Sequence, residues 1–178
     1  TLNLSKNVER YTLRVTRCKK CNHFQLGDSV SPELLYATNY TYLSGIGKSF
    51  VKHIDNYASW VITKTKIKKN DFVVDVGSND GTCLKAFKKN GFKVCGIDPA
   101  KIAANIANNA GIYTINDFFS KKVIKIIIEK FGKADFITSQ NVLAHIENPR
   151  EIFENIYSLL NDNAYFAFEV GYFRKVVE

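Results

Sequence analysis

The sequence has no methionine, one tryptophan, three prolines and four cysteines among its 178 residues. Four unevenly placed cysteines are too few for a disulfide scaffold, which favours a reducing compartment. No run of about 18 uncharged apolar residues is present, so the pattern predicts no membrane-spanning helix. The start, Thr1-Leu2-Asn3-Leu4-Ser5-Lys6, lacks the apolar core of a signal peptide. We therefore predict a cytoplasmic, membrane-free protein, and the missing methionine leads us to expect a fragment of a longer chain.

The composition is that of a folded domain with an excess of positive charge. Hydrophobic residues make up 46% of the chain, which excludes a disordered polymer, and the net charge is +8. The densest basic segment is Lys64-Thr65-Lys66-Ile67-Lys68-Lys69, at the end of a predicted helix, where cations complement the helix dipole. The basic residues form no continuous stripe along which a phosphate backbone could bind. A solvated lysine-rich surface that attracts an anionic substrate is favoured over nucleic-acid binding.

The first 70 residues differ in pattern from the rest. Residues 8–17 read as a strand that runs into Cys18-Lys19-Lys20-Cys21, and an aromatic segment follows from Tyr36 to Tyr42. A helix is predicted from Gly47 to Thr65, with one apolar face formed by Phe50, Ile54, Tyr57, Trp60 and Val61. We divide the chain into a partial zinc-binding domain (1–30), an aromatic linker and helix (31–70), and a larger domain (71–178).

Short apolar runs alternate with amphipathic segments after residue 71. Strands are predicted at 72–76, 92–97, 112–115, 134–138 and 164–170, and helices at 81–90, 100–109, 119–131 and 149–160. Strands that are apolar on both faces and alternate with helices are typical of a parallel sheet covered on both sides. The sequence therefore predicts an α/β fold with a Rossmann-like, doubly wound parallel sheet.

A glycine-rich turn follows the first of these strands. Gly77-Ser78-Asn79-Asp80-Gly81 lies where ligands bind in such sheets, and Asp98 follows the next strand at the spacing of a carboxylate that binds ribose hydroxyls. Pro99 suits the first turn of the next helix. Thr82 and Cys83 stand where a triphosphate-binding loop has Lys-Ser or Lys-Thr. The acidic Asp80 disfavours a pyrophosphate and favours a neutral or cationic cofactor.

These residues resemble the S-adenosyl-L-methionine site of class I methyltransferases. Four further stretches resemble the nucleotide-sugar C-methyltransferases: Arg17-Cys18-x-x-Cys21-x-His23-x-Gln25-Leu26, Tyr40-x-Tyr42-x-Ser44-Gly45, Phe118-Phe119, and Asn141-Val142-x-Ala144-His145-Ile146. The resemblance spans residues 11 to 170. It implies an enzyme with a zinc-binding domain, a cofactor domain and a C-terminal domain that holds the sugar, of which this chain lacks the upstream cysteine pair and the C-terminal domain.

The resemblance also suggests roles for individual residues. Those expected to bind the cofactor are Gly77, Asn79, Asp80, Gly81, Asp98, Pro99, Asp117, Phe118 and Asn141. A helix cap is the alternative role for Asp98 and for Asp80. Asp117 would bind the adenine amine and Phe118 would pack on the adenine ring.

The predicted reaction is C-methylation of a nucleoside-diphosphate-linked deoxy-ketosugar through an enolate, which needs a base and a group that stabilises the oxyanion. His145 and Tyr42 are the predicted catalytic residues, although a lone histidine is often structural. An O- or N-methyltransferase acting on a small metabolite, and a non-catalytic cofactor-binding fragment, remain the alternatives.

Two of the cysteines have the spacing of a zinc half-site. Cys18 and Cys21 are the predicted ligands of a structural zinc, with His23 as a third candidate, but tetrahedral zinc needs four. We therefore expect zinc chiefly in the intact protein. Cys83 and Cys95 lie inside a predicted helix and a predicted strand, where small thiols serve as core residues.

Overall fold

The computed structural model of the protein describes residues 10–38 and 40–172. Its strands are β1 (Val15–Arg17), β2 (Phe24–Leu26), β3 (Phe72–Val76), β4 (Lys93–Ile97), β5 (Thr114–Ile115), β6 (Ala134–Gln140) and β7 (Leu160–Glu169). Its α-helices are α1 (Lys48–Thr65), α2 (Thr82–Lys88), α3 (Lys101–Asn109), α4 (Lys121–Phe131) and α5 (Pro149–Leu159). A π-helical turn covers Glu33–Thr38, and 3-10 turns cover Ser44–Ile46 and Leu143–His145. Within the described ranges no helix is both long and apolar enough to cross a membrane.

The main sheet has five parallel strands in the order β5-β4-β3-β6-β7. The chain moves outward from β3 through β4 to β5 and then crosses to the other side of β3, so the strand order reverses between β3 and β6. The helices cover both faces of this sheet. The predicted Rossmann-like fold is therefore confirmed, and its reversal point marks the edge where ligands bind in such sheets.

The core consists of two apolar layers, one on each face of the sheet. Alternate side chains of β3 point to opposite faces, so Val73 joins one layer while Phe72, Val74 and Val76 join the other. The first layer holds buried residues of α1 and α2, and the second holds buried residues of α4 and α5. Helix α1, from the predicted linker, thus packs in the same core as the sheet. Cys83 and Cys95 are buried in these layers, as predicted.

One part of the predicted apolar face of α1 is wrong. Its buried residues are Ile54, Ala58 and Val61, at a spacing of four and three. Trp60 lies outside this stripe, and 56% of its surface is exposed. The aromatic character of Trp60 suggested burial, but its angular position on the helix faces solvent.

The ends of the described chain also differ from the expectation. The strand predicted over 8–17 is limited to β1, which pairs in antiparallel fashion with β2 in a separate, exposed two-stranded sheet; residues 8 and 9 lie outside the described residues. Strand β7 begins four residues before the predicted start. The polar Asn161 extends it, because its side-chain amide donates to Asp135 Oδ1 on β6 at 2.8 Å.

Candidate functional site

A cavity of about 470 Å³ lies at the carboxyl edge of the parallel sheet. Its walls come from the turns after β3, β4, β5 and β6 and from the segment between Pro32 and Ser44. The size and position are typical of a small-molecule site in a doubly wound fold. The predicted site residues that line it are Tyr42, Gly77, Asn79, Asp98, Pro99, Asp117, Phe118, Asn141 and His145.

The turn after β3 requires glycine at its first position. Gly77 has a φ of +77°, which side chains with a Cβ rarely adopt. A Cβ at this position would lie 2.3 Å from Cγ2 of Val142, which follows β6. The N–H groups of Gly77 and Ser78 both donate to the carbonyl of Ile97, at 2.8 and 3.1 Å. The turn is thereby fixed between the ends of β4 and β6.

Asp98 occupies the end of β4 with its carboxylate held by two backbone donors. Oδ2 accepts from the N–H of Asn79 at 2.8 Å, and Oδ1 accepts from the N–H of Ala100 at 2.8 Å. The residue is only 6% exposed, and burial raises the pKa of its carboxyl group while these two hydrogen bonds oppose the rise. Ala100 is the N-cap residue of α3, so Asp98 supports the helix start and also lines the cavity.

Asp117 and Phe118 lie after β5 on the same side of the cavity. Asp117 Oδ1 accepts from the N–H of Phe118 at 2.8 Å, and Oδ2 accepts from Lys122 at 3.1 Å. The neighbouring Asn116 donates to the carbonyls of Asp98 and Pro99 at 3.0 and 2.8 Å. Asn116 was not predicted, and no spacing signal marks it, yet it joins the two loops that carry the candidate cofactor residues.

An aromatic wall also lines the cavity, and we define it as Tyr36, Tyr40, Tyr42 and His145. The ring centroids are 6.3 Å apart between Tyr42 and Tyr40, 5.7 Å between Tyr40 and Tyr36, and 5.9 Å between Tyr36 and His145. Burial raises the pKa of Tyr40, and the charge of Asp98 adds to the rise. The two predicted catalytic residues, Tyr42 and His145, are therefore members of one continuous wall.

Two residues of the cavity that carry a buried side-chain oxygen without a partner among the described residues, Asp75 and Gln140, were missed. Asp75 is 1% exposed, and its Oδ1 has no hydrogen-bond partner among the described residues. Burial, together with the charge of Asp98, raises the pKa of Asp75 to about 8. An acidic residue inside an otherwise apolar strand is a signal that could have identified it.

Gln140, at the end of β6, is the second missed residue. Its Nε2 donates to Thr138 Oγ1 at 2.8 Å, and the Tyr57 hydroxyl of α1 lies 2.8 Å from the same oxygen. Its Oε1 is buried and has no partner in the described part of the chain. Asn141, which was predicted, follows with a φ of 57° and donates its N–H to the carbonyl of Glu169 at 2.7 Å.

Asp80 and Gly81, both predicted to bind the cofactor, are not among the residues that line the cavity. Asp80 Oδ1 accepts from the N–H and the hydroxyl of Thr82 at 3.2 and 2.6 Å, and Oδ2 accepts from the N–H of Gly45 at 2.8 Å. The alternative prediction, a carboxylate at the helix start, fits this geometry better than a cofactor contact. Gly81 has a φ of +77° and packs near Ala107 and Ile112.

Cys18 and Cys21 lie in an exposed turn away from the cavity. Hydrogen bonds from the backbone N–H groups of Cys21 and Lys20 lower the pKa of the Cys18 thiol, which suits a metal-binding thiolate. However, no group of three His, Cys, Asp or Glu residues that could hold a metal occurs within 10–38 and 40–172. These residues alone therefore do not fit a tetrahedral zinc ion, which needs four ligands.

Sequence comparison identifies the class of protein that this fold and cavity define. Residues 51–174 match the family described as "Methyltransferase domain", and the chain belongs to that family.

Among curated proteins, the chain is 29% identical over 162 residues to the C-methyltransferase NovU of Streptomyces niveus, a match that covers 91% of this chain and 38% of NovU. It is 28% identical over 93 residues to a ubiquinone biosynthesis O-methyltransferase of Coxiella burnetii, covering 52% of this chain and 40% of that protein. The chain thus spans well under half the length of these relatives.

The fold is similar to that of magnesium protoporphyrin IX methyltransferase from Synechocystis PCC 6803, solved with bound SAM. The TM-score is 0.50 at 16% identity, over 67% of this chain and 62% of that one.

Proposed function

We propose that the chain binds S-adenosyl-L-methionine and forms the cofactor-binding part of a methyltransferase. The observation that carries this proposal is the cavity itself. We call the glycine turn, Asp98 and the pair Asp117–Phe118 the cofactor side, and these elements line the cavity together with the aromatic wall. A methyltransferase needs residues for the cofactor and residues for the acceptor in one site, and this cavity brings two such sets together.

The cofactor side fits the parts of S-adenosyl-L-methionine. Asp98 keeps lone pairs for ribose hydroxyls in addition to the two that accept backbone N–H groups. Phe118 offers a ring face for the adenine, and the carboxylate of Asp117 offers an acceptor for its amine. Oδ1 of Asp75 is buried and has no partner among the described residues, and a positively charged ligand bound beside it would favour the ionised carboxylate and lower its raised pKa. When bound, the cofactor supplies an electrophilic methyl group on a sulfonium ion.

The acceptor that we propose is a deoxy-ketosugar linked to a nucleoside diphosphate, methylated on carbon. His145 would take a proton from the carbon next to the sugar ketone, and Tyr42 would stabilise the negative charge that develops on the ketone oxygen. In the balanced reaction a carbon–carbon bond forms, the sulfur–methyl bond breaks, and the proton remains on His145. The net charge of +8 would favour approach of the diphosphate.

The similarity to NovU supports carbon as the acceptor atom. That match covers 91% of the chain, whereas the O-methyltransferase match covers 52%. The aromatic wall supports the same assignment. Its three tyrosines, Tyr36, Tyr40 and Tyr42, lie before residues 51–174, so they are not part of what this chain shares with the general methyltransferase family. O- or N-methylation of a small metabolite, and cofactor binding without catalysis, are the alternatives that the experiments below distinguish.

Cofactor binding is tested by calorimetry of the 178-residue chain with S-adenosyl-L-methionine and with S-adenosylhomocysteine. We expect both to bind in a one-to-one ratio. Absence of heat with either ligand, together with an unchanged melting temperature, would contradict the proposal for this chain. Cofactor binding here, without methyl transfer in the acceptor experiment described next, would favour the non-catalytic alternative.

The acceptor is tested with the whole protein that contains this chain. It is incubated with S-adenosyl-L-methionine carrying a ¹³C-labelled methyl group and with a thymidine-diphosphate-linked deoxy-ketosugar. We expect the ¹³C spectrum to show a methyl group on carbon, and the proton next to the ketone to exchange with deuterated solvent. A methyl resonance on oxygen or nitrogen, or no transfer to the sugar, would overturn the proposed acceptor while leaving cofactor binding intact.

A further inference from the structure

Three hydrogen bonds join the segment 42–45 to the turn after β3. The N–H of Ser44 donates to Asn79 Oδ1 at 2.9 Å, and the Asn79 side-chain amide donates to the carbonyl of Tyr42 at 3.0 Å. The N–H of Gly45 donates to Asp80 Oδ2 at 2.8 Å. The side chains of two residues predicted to bind the cofactor are therefore engaged with the backbone that carries Tyr42.

Asn79 is also bonded to Asp98 through its backbone. The backbone N–H of Asn79 donates to Asp98 Oδ2 at 2.8 Å, so Asp98 and Ser44 contact opposite ends of one residue. Asn79 is 7% exposed and Asp80 5% exposed. Asn79 and Asp80 are buried while the three hydrogen bonds to the segment are partly buried, so this connection is better shielded from water than a fully exposed contact would be.

Gly45 shows how closely the segment approaches the turn. A Cβ on Gly45 would lie 2.8 Å from Asp80 Oδ2 and 3.0 Å from Thr82 Oγ1. The N–H and the hydroxyl of Thr82 both donate to Asp80 Oδ1, so neither the Asp80 carboxylate nor Thr82 Oγ1 has much freedom to move away. Two residues further on, a Cβ on Gly47 would meet nothing closer than Phe50 Cβ at 3.6 Å. The close approach is therefore specific to Gly45.

We propose that Asn79 and Asp80 are positioning residues that hold the aromatic wall against the cofactor turn. They act through the backbone of 42–45, to whose N–H groups their side-chain oxygens are bonded. The meaning of this contact for methyl transfer rests on the proposed function. The contact itself does not rest on that function. Through this contact, binding of a ligand at Asp98 would order the segment that carries Tyr42.

The first test compares Gly45→Ala with Gly47→Ala by NMR hydrogen exchange of the unliganded chain. We expect the amides of Ser44 and Gly45 to be protected from exchange in the unaltered protein. In Gly45→Ala, we expect the exchange rate of the Ser44 amide to rise at least about tenfold. Gly47→Ala leaves it unchanged. Equal exchange in both variants, or unprotected amides in the unaltered protein, would overturn the proposal.

A second pair of variants removes the side-chain contacts of Asn79 without straining the backbone. Asn79 has a φ of 50°, which glycine accepts, so Asn79→Gly deletes both side-chain hydrogen bonds and keeps the backbone donor to Asp98. Asn163, on β7 with a φ of 61°, provides the matched Asn→Gly control outside the site. We expect the Ser44 amide to exchange about tenfold faster in Asn79→Gly and at an unchanged rate in Asn163→Gly. Loss of protection in Asn79→Gly that is confined to other regions would contradict the proposal.

The final measurement adds S-adenosylhomocysteine. If Asn79 connects Asp98 to the segment, the ligand slows exchange of Ser44 and Gly45 in the unaltered chain and in the two control variants, but much less in Gly45→Ala and Asn79→Gly. A purely structural role would give the same slowing in all of them, and would overturn the positioning role. A chain that binds no S-adenosylhomocysteine contradicts the proposed function, whereas the unliganded exchange rates still decide whether the contact exists.

Discussion

The backbone N–H of Asn79 donates a hydrogen bond of 2.8 Å to Oδ2 of Asp98. This contact joins the turn after β3 to the end of β4, so two parts of the candidate cofactor site share one carboxylate. Because Asp98 is 6% exposed, the hydrogen bond lies out of bulk water. The position of the carboxylate is therefore set before any ligand arrives, which reduces the ordering cost of binding.

We expect Asp98→Asn to weaken the binding of S-adenosylhomocysteine by about 10- to 100-fold, because hydrogen bonds to a charged group each contribute roughly 1.5–3 kcal/mol. The amide nitrogen would replace one of the two oxygens that now accept from Asn79 and Ala100. Calorimetry measures the affinity, and Asp162→Asn on the exposed surface of β7 is the control. Unchanged affinity in Asp98→Asn would show that the ribose assignment is wrong.

Asp75 should make stability depend on pH. Burial raises its pKa to about 8 in the folded protein from an ordinary value near 3.8, so between these pH values the folded state holds a proton that the unfolded state has lost. Its contribution to stability is full below pH 4 and declines as the pH rises to about 8, with a slope of up to about 1.4 kcal/mol per pH unit. Asp75→Asn removes this slope, which urea unfolding at a series of pH values will measure. A parallel pH dependence in both proteins would contradict the assignment.

Gly77→Ala should destabilise the fold more than a positive φ alone explains. Gly77 and Gly132 have similar φ values, +77° and +84°, but a Cβ on Gly132 would meet nothing within 4 Å. Gly132 has a ψ of −171°, in a backbone region nearly restricted to glycine, and we expect Gly132→Ala to cost about 1–3 kcal/mol of unfolding free energy. Gly77→Ala should cost clearly more because of its contact with Val142. Adding Val142→Ala should recover part of the difference, and no recovery would show that the contact is not the cause.

Replacing Cys18 and Cys21 by serine should leave the stability of this chain almost unchanged. Both residues are exposed, and the described residues supply no complete zinc site. We expect a change below about 0.5 kcal/mol in urea unfolding, and no shift in melting temperature when a chelator is added. In a longer protein that supplies two further ligands, the same substitutions should release zinc. A large loss of stability in the 178-residue chain would indicate metal binding by these two cysteines.

The strand and helix pattern was predictable because its determinants are local. The uninterrupted apolar run Phe72-Val73-Val74 predicts a strand buried on both faces, and β3 is such a strand at the centre of the sheet. The glycines of the turn and the spacing to Asp98 likewise depend on residues close in sequence. Trp60 was misplaced because periodicity identifies a stripe, while the exact edge of that stripe depends on the packing of α2 and the sheet.

The contacts of Asn79 and Asp80 with Ser44 and Gly45 were not predictable, since these partners are 35 residues away in sequence. The sequence allows an acidic residue in a glycine turn to be a cofactor ligand or a helix cap, and the structure adds that Gly45 and Thr82 donate to the oxygens of Asp80. The same holds for Gln140, whose orientation depends on Thr138 within its own strand and on Tyr57 in α1. Long-range hydrogen bonds of this kind leave no periodic signal in a sequence.

The family match begins at residue 51, yet the backbone of Ser44 and Gly45 is bonded to the turn after β3. The segment that matches the family is therefore shorter than the segment whose residues form the cavity. A protein trimmed to the matched residues would lose Tyr36, Tyr40 and Tyr42, and it would remove the backbone donors to Asn79 Oδ1 and Asp80 Oδ2. A chimeric protein that joins this domain to part of another methyltransferase would thus need its junction before the aromatic segment, so that the glycine turn keeps its hydrogen bonds to residues 42–45.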